Sequence, residues 1–183
     1  MLKERSPVLS QTMQDALNQY INQEFYASQL YLSMSAYCEW RKLPGFAHWL
    51  RVQSREEESH ALKLFDFVNN RNGRVMLQAI SQPPVEFHSP HQVMEAALEH
   101  ECAVTKSYNR LYEQAIKEGD YATQVRLQWF ISEQVEEERG LSLIVEHLKM
   151  IGAQTDALLS LDRELAARKA DQVTPEAGKQ TTP

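Results

Sequence analysis

The chain has 183 residues, 43% hydrophobic and 24% charged, with a formal net charge of −6. That is apolar mass enough for a buried core, in one domain or two small ones. The acidic balance argues against nucleic acid, which needs a basic face, and suits attraction of cations. No run approaches the ~20 apolar residues of a membrane span.

Met1 to Val8 carries no apolar segment of the kind that opens a secretory signal. The first predicted helix covers about 10–41, a stretch free of glycine and proline. Its core-type residues step by three and four: Met13, Leu17, Tyr20, Glu24, Ala27, Tyr31, Met34, Cys38. Pro44-Gly45 punctuates the chain, and a second helix is predicted over 45–72. Its seam is Phe46, Leu50, Gln53, Glu57, His60, Leu64, Phe67.

The segment "RVMLQAISQPPVEFHS" follows, about 16 residues with no helical period. Ser89-Pro90 is an N-cap with proline at the first helical position, opening a third helix over 90–118. The third seam is Met94, Ala97, Glu101, Val104, Tyr108, Leu111, Ala115. Gly119 closes it, and Asp120 is placed to cap a fourth helix over 120–149. The fourth seam is Leu127, Phe130, Gln134, Glu137, Leu141, Ile144, Leu148. Asp156 is expected to cap a short fifth helix over 155–168. The polar ending "DQVTPEAGKQTTP" predicts disorder, dividing the chain into a domain over 1–168 and a tail over 169–183.

The links at 42–44 and 119 are short and join antiparallel neighbours, whereas the link between the second and third helices can run the length of a bundle. The expected fold is all-α, a four-helix bundle with one long crossover and a short fifth helix. Cys38 and Cys102 lie far apart and form no CxxC pair, so neither a disulfide scaffold nor a zinc knuckle is written here. Buried, inert thiols in a reducing cytoplasm are the simpler expectation.

An acid interrupts every seam near its middle, and the interruptions align in height. Glu101 and Glu137 lie 18 residues either side of Gly119. Glu24 lies 19 residues before Leu43, with Glu57 and His60 14 and 17 after it. At about 1.5 Å per residue these fall in one layer. Glu24, Glu57, Glu101 and Glu137 should therefore converge, with His60 and Gln134 beside them.

Burying an unpaired carboxylate costs several kcal/mol, and four would exceed the ~5–15 kcal/mol that holds a domain folded. Shared protons relieve part of this. No lysine or arginine lies on the four seams to offset the rest. Two divalent cations would. Glu57 and His60 stand three residues apart on one helix face and can share an ion. Oxygen-rich ligands with one imidazole disfavour structural zinc and copper and suit iron or manganese. A carboxylate-bridged pair points to Fe(II) and dioxygen. Tyr31, one heptad beyond Glu24, faces the same layer and could give an electron or a hydrogen bond.

The segments "NQEFYASQLYLSMSAYC", "REEESHALKLFDFV", "EHECAVTKSYN" and "LQWFISEQVEEER", in this order and spacing, resemble the bacterial non-haem ferritins from about Leu9 to Arg168. The resemblance implies a hollow 24-subunit homo-oligomeric cage that oxidises Fe(II) with dioxygen or hydrogen peroxide, a ferroxidase that stores the ferric product in the cytoplasm. It implies a di-iron centre on Glu24, Glu57, His60, Glu101 and Glu137, with Gln134 as ligand or hydrogen bonder. It places a third iron on Glu56, Glu133 and Glu136, sharing Glu137. The family's tyrosine falls on Tyr31 and its neighbouring tryptophan on Trp129.

The fourth helix carries Gln134-x-x-Glu137, not the Glu-x-x-His of the symmetric di-iron pattern. Glu58 stands where bacterioferritin has its haem-binding methionine, so no haem is expected. A di-iron oxidase or oxygenase acting on an organic substrate is the competing function. His48, His88, His91, His100 and His147 are expected at the surface.

Overall fold

The computed structural model describes residues 9–169. Apart from its first residue, the tail expected over 169–183 lies outside the described residues. Five helices follow one another: α1 Gln11–Trp40, α2 Pro44–Asn70, α3 Pro90–Lys117, α4 Tyr121–Ile151 and α5 Thr155–Leu165. No strand occurs among the described residues.

The caps explain where the helices begin and end. Ser10, Ser89 and Asp120 each accept a hydrogen bond from the backbone N–H three residues on, at Met13, Gln92 and Thr123. Gly119 closes α3 in a left-handed conformation, φ +65°, which glycine reaches without steric cost. Asp156 does not cap α5 as expected. Gln154 takes the N-cap position without a side-chain hydrogen bond, and Asp156 sits inside the first turn, where a negative charge still suits the helix dipole.

The helices form two hairpins, α1 with α2 and α3 with α4, and the segment 71–89 joins them. Side chains of α1 hold this crossover along its course. Gln14 accepts from Arg74 N at 2.8 Å, and Asn18 bridges Arg74 O and Met76 N at 3.0 and 2.8 Å. Further along, Ser33 donates to Pro84 O at 2.7 Å, and Tyr37 meets Phe87 with ring centroids 5.4 Å apart. The chain thus travels from the level of Gln14 to that of Tyr37 before α3 starts.

Every predicted seam position is buried except Val104, which is half-buried. The apolar core is nonetheless split. One half gathers Met34, Phe46, Leu50, Met94, Leu141 and their neighbours. The other gathers Met13, Leu17, Leu64, Leu111, Leu127 and theirs. The interrupting polar residues of the seams lie between the two halves.

The short α5 docks on the start of α2. Asp162 Oδ1 accepts from Gly45 N at 2.8 Å and Phe46 N at 3.0 Å, capping α2 from another element. Position 45 has to be glycine for this approach, because a Cβ there would stand 1.6 Å from Asp162 O. Gly45→Ala should therefore undock α5 and cost about 2–4 kcal/mol. Asp162→Ala, which removes only the cap, should cost about 1–2 kcal/mol. Thermal denaturation of both variants checks the order; equal and negligible losses would mean that α5 is not held there.

Candidate metal centre

Each long helix delivers one buried carboxyl to the same level: Glu24 from α1, Glu57 from α2, Glu101 from α3 and Glu137 from α4. His60 follows Glu57 by one turn and Gln134 precedes Glu137 by one turn. None of the six is more than 9% exposed. Ligand atoms of Glu24, Glu57 and His60 all lie within 4.8 Å of one another.

Hydrogen bonds fix the orientation of these groups. His60 Nδ1 stands 3.2 Å from Glu57 Oε2, while Gln53 Nε2 donates to Glu57 Oε1 at 2.8 Å. Gln134 Nε2 donates to Glu101 Oε2 at 2.9 Å and to the Glu101 carbonyl at 3.2 Å. The Tyr31 hydroxyl donates to Glu101 Oε1, and the Tyr108 hydroxyl donates to Glu24 Oε1. The rings of Trp129 and Phe130 stand edge-on to His60, at 5.3 and 5.9 Å.

The layer's electrostatics follow from crowding acids in a dry interior. Burial, then the Glu57 charge, raises Glu24 well above the usual carboxyl range. The same two causes raise Glu101 to about 7. Glu137 rises to about 8, through burial and the charges of Glu57 and Glu101. Burial pushes Glu57 upward too, but the His60 hydrogen bond and charge outweigh it and hold that carboxyl below its ordinary value. Burial pushes His60 down, and the Glu57 contact more than restores it, so the imidazole favours its charged form. Burial, and then the neighbouring acids, raises the Tyr31 and Tyr108 hydroxyls far up, so both remain donors.

This donor set fits a pair of hard or borderline divalent cations. It offers carboxylate oxygens and one imidazole, and among the described residues no lysine or arginine is buried in the layer. Beside Glu57, Gln53 Oε1 is buried with no hydrogen-bond partner, an acceptor suited to a water carried by a bound cation.

The outer acids are placed differently. Glu56 is partly buried, and its Oε2 lies 2.5 Å from Arg168 Nη2. That guanidinium also sits 4.1 Å over the Trp49 ring. Glu133 is partly buried and acts electrostatically on Lys63, whose ammonium lies 4.4 Å over Trp129. Glu136 is exposed, 3.8 Å from Arg139 Nη1. Among the described residues, these three acids do not draw their oxygens into one metal-sized group as the inner acids do.

Of the histidines expected at the surface, His48 and His88 are exposed and His147 is half-buried. His100 departs from that expectation. Its ring packs edge-on to Tyr31 at 6.1 Å, and its Nε2 is buried without a partner. His91 is likewise half-buried, its Nε2 enclosed. Cys38 is buried and burial raises its thiol to about 12, whereas Cys102 is only half-buried. In the sequence Tyr108 and Gln53 are plain seam positions, and Arg168 carries no mark of its place beside Glu56. Tyr108 carried a readable signal, since it follows Glu101 by seven residues just as Tyr31 follows Glu24.

Comparison with known proteins bears directly on this geometry. The ferritin-like domain family model matches residues 14–151. The bacterial non-heme ferritin of Staphylococcus saprophyticus is 38% identical over 165 residues, covering 90% of this chain and 99% of its own. That of Staphylococcus epidermidis is 37% identical over the same span. Among solved structures, an open pore ferritin from the hyperthermophilic archaeon Archaeoglobus fulgidus superposes with a TM-score of 0.87. It is 49% identical, and the alignment covers 88% of this chain and 99% of that one.

The raised carboxyls give the metal-free protein an unusual pH dependence. Glu24, Glu101 and Glu137 hold protons in the folded state that the unfolded chain releases at ordinary carboxyl pKa values. Their contribution is complete below a pH of about 4.5 and is lost as pH rises through about 7 for Glu101 and about 8 for Glu137. His60, also raised, loses its contribution in the same direction at higher pH. Calorimetry of the metal-free protein should show stability falling by a few kcal/mol between about pH 5 and pH 8. Saturating Zn(II) should remove most of that slope. A flat metal-free profile would mean that protons are not what balances the layer.

Proposed function

Because the chain belongs to the ferritin-like family, we propose that it is an iron-storage ferroxidase. Fe(II) is its substrate, dioxygen or hydrogen peroxide its oxidant, and the ferric product is kept as mineral inside a hollow 24-subunit cage. The observation that carries this reading is the layer itself. Four helices each bring an acid to one buried level, with His60 paired to Glu57 and, among the described residues, no buried lysine or arginine to balance the other three.

In this reading Glu24, Glu57 and His60 hold one Fe(II), and Glu57, Glu101 and Glu137 the other, with Glu57 shared. Two adjacent Fe(II) can deliver two electrons to dioxygen together, which avoids a free one-electron product. Incoming Fe(II) replaces the protons on Glu24, Glu101 and Glu137, so uptake releases protons and tightens with pH. Gln134 and Tyr31 act by donating to Glu101, keeping its oxygens turned to the pair. The apolar rings of Phe130 and Trp129 wall the His60 side and limit water.

A third iron, on Glu56, Glu133 and Glu136, requires Arg168 to leave Glu56. Assembly is supported by large apolar side chains left on the outside, including Leu32, Trp40, Tyr121, Val125, Leu143 and Met150. No helix among the described residues is long and apolar enough to cross a membrane, and the free cysteines suit a cytoplasmic store.

Glu57→Ala and His60→Ala should each slow the fast phase of Fe(II) oxidation at least tenfold in anaerobically loaded, oxygen-mixed samples, with the helical fold retained. Unchanged kinetics would remove the layer from the chemistry. Native mass separates storage from oxidation of an organic substrate: twenty-four copies of the 21.1 kDa chain weigh about half a megadalton, whereas a monomer or dimer would favour a di-iron oxygenase. Arg168→Ala should raise Zn(II) uptake beyond two per chain at a given free concentration. An unaltered binding isotherm would leave the outer acids without a metal role.

A further inference from the structure

Two hydrogen bonds in the metal layer mirror each other. Tyr31 on α1 donates to Glu101 on α3, and Tyr108 on α3 donates to Glu24 on α1. On each helix the tyrosine follows its own acid by seven residues. The two helices run antiparallel, so one register satisfies both bonds: seven residues forward on α1 is seven residues back on α3. The motif Glu-x6-Tyr, written twice, closes into a reciprocal brace.

The geometry points to Tyr108 as a positioning residue for the metal pair, holding Glu24 as Tyr31 holds Glu101. The inference rests on the iron-binding reading and extends it to a residue outside the candidate ligands.

Tyr108 is 1% exposed, and aromatic neighbours fix its ring on two sides. Phe130 stacks on it with centroids 4.9 Å apart and planes 20° apart. Tyr20 leans on it at 5.2 Å and 51°. Tyr20 is itself pinned between helices: its hydroxyl donates to the Ser107 carbonyl at 2.5 Å and accepts from Ser107 Oγ at 2.7 Å. A ring clamped in this way cannot swing its hydroxyl off Glu24 without disturbing α1, α3 and α4 together.

The chemical consequence is directional. With Oε1 committed to Tyr108, Glu24 has its second oxygen left for the position it shares with Glu57 and His60. A carboxylate held by a phenol presents one oxygen in one place and does not rotate between one-point and two-point attachment. Each tyrosine therefore serves one metal position: Tyr108 the Glu24–Glu57–His60 position, and Tyr31 the Glu57–Glu101–Glu137 position. Hydrogen bonds to charged carboxylates are among the stronger ones in proteins, so losing either should weaken its own position by roughly tenfold.

The test uses the full chain and redox-inert Zn(II), so that nothing depends on turnover. Wild type, Tyr108→Phe and Tyr31→Phe are titrated by calorimetry. Crystals soaked at limiting Zn(II) then give anomalous occupancies at the two positions separately. Phenylalanine keeps the ring and its stacking, and a melting curve for each variant checks the fold. Tyr108→Phe should lower occupancy and affinity at the His60 side by roughly tenfold and spare the Glu137 side. Tyr31→Phe should do the reverse. The inference is overturned if Tyr108→Phe leaves both positions as in wild type, or lowers both alike, since a merely structural ring would do the latter. If wild type itself takes up no Zn(II) in the layer, the metal reading falls first and this inference falls with it.

Discussion

A set of like charges packed into an apolar bundle governs this protein. Glu24, Glu57, Glu101 and Glu137 sit between two halves of a core that would otherwise be continuous. In so dry a setting their repulsion is large, and few forces can offset it. Protons do so in part: burial and the Glu57 charge raise Glu24 well above the carboxyl range, Glu101 to about 7 and Glu137 to about 8, while Glu57 is held low beside His60. A centre that holds protons where it could hold cations is loaded for exchange. In the proposed function, divalent iron entering it would trade with hydrogen ions instead of adding to an already balanced site, which would keep the net charge of the interior small before and after binding.

The contrast with the outer acids sharpens the point. Glu56, Glu133 and Glu136 lie one residue from the inner set or less than two turns away, yet basic side chains are within reach of each. Arg168 meets Glu56, Lys63 lies in the field of Glu133, and Arg139 pairs with Glu136. Such partly exposed pairs contribute modestly to stability, but they mean that the outer acids have no comparable need of a metal. In the inner layer only Glu57 has such a partner, in His60, and among the described residues no lysine or arginine is buried there. Burial, and not the number of acids, sets the inner acids apart from the outer ones.

Much of this was legible in the sequence because helical period and charge leave separate marks. The seams give the core, and their interruptions give the site; since both hairpin turns are short, counting residues from each turn placed the interruptions at one height. Other features left no such mark. The Asp162 cap joins residues more than a hundred positions apart, and only docking of α5 reveals that Gly45 is needed for close approach. Asp156 looked like a cap by position, but the helix started two residues earlier. His100 resembled any polar residue on a helix face, yet its ring packs edge-on to Tyr31. Tyr108 lay within reach of sequence reasoning, because the repeat of Glu-x6-Tyr was visible; what was missing was that antiparallel packing makes two separate motifs into one contact.

That contact also decides which parts of the fold the centre joins. Each hairpin is a local structure, held by neighbouring helices and a short turn. The hairpins are connected in sequence only by a crossover that runs along the outside, tied to α1 through Gln14, Asn18 and Ser33. Inside, the tyrosine bonds cross from one hairpin to the other in both directions, and His60 of the first hairpin meets Phe130 of the second. The acid layer is therefore also the polar joint between the two hairpins. A site at such a joint draws its ligands from both sides, so a bound cation tightens the assembly that created it. The tyrosine bonds close the joint without any cation. The proposed ferroxidase role would call on that property: a centre that oxidises and then releases iron has to keep its shape through both states, and hydrogen bonds from buried phenols hold the carboxyls without a metal.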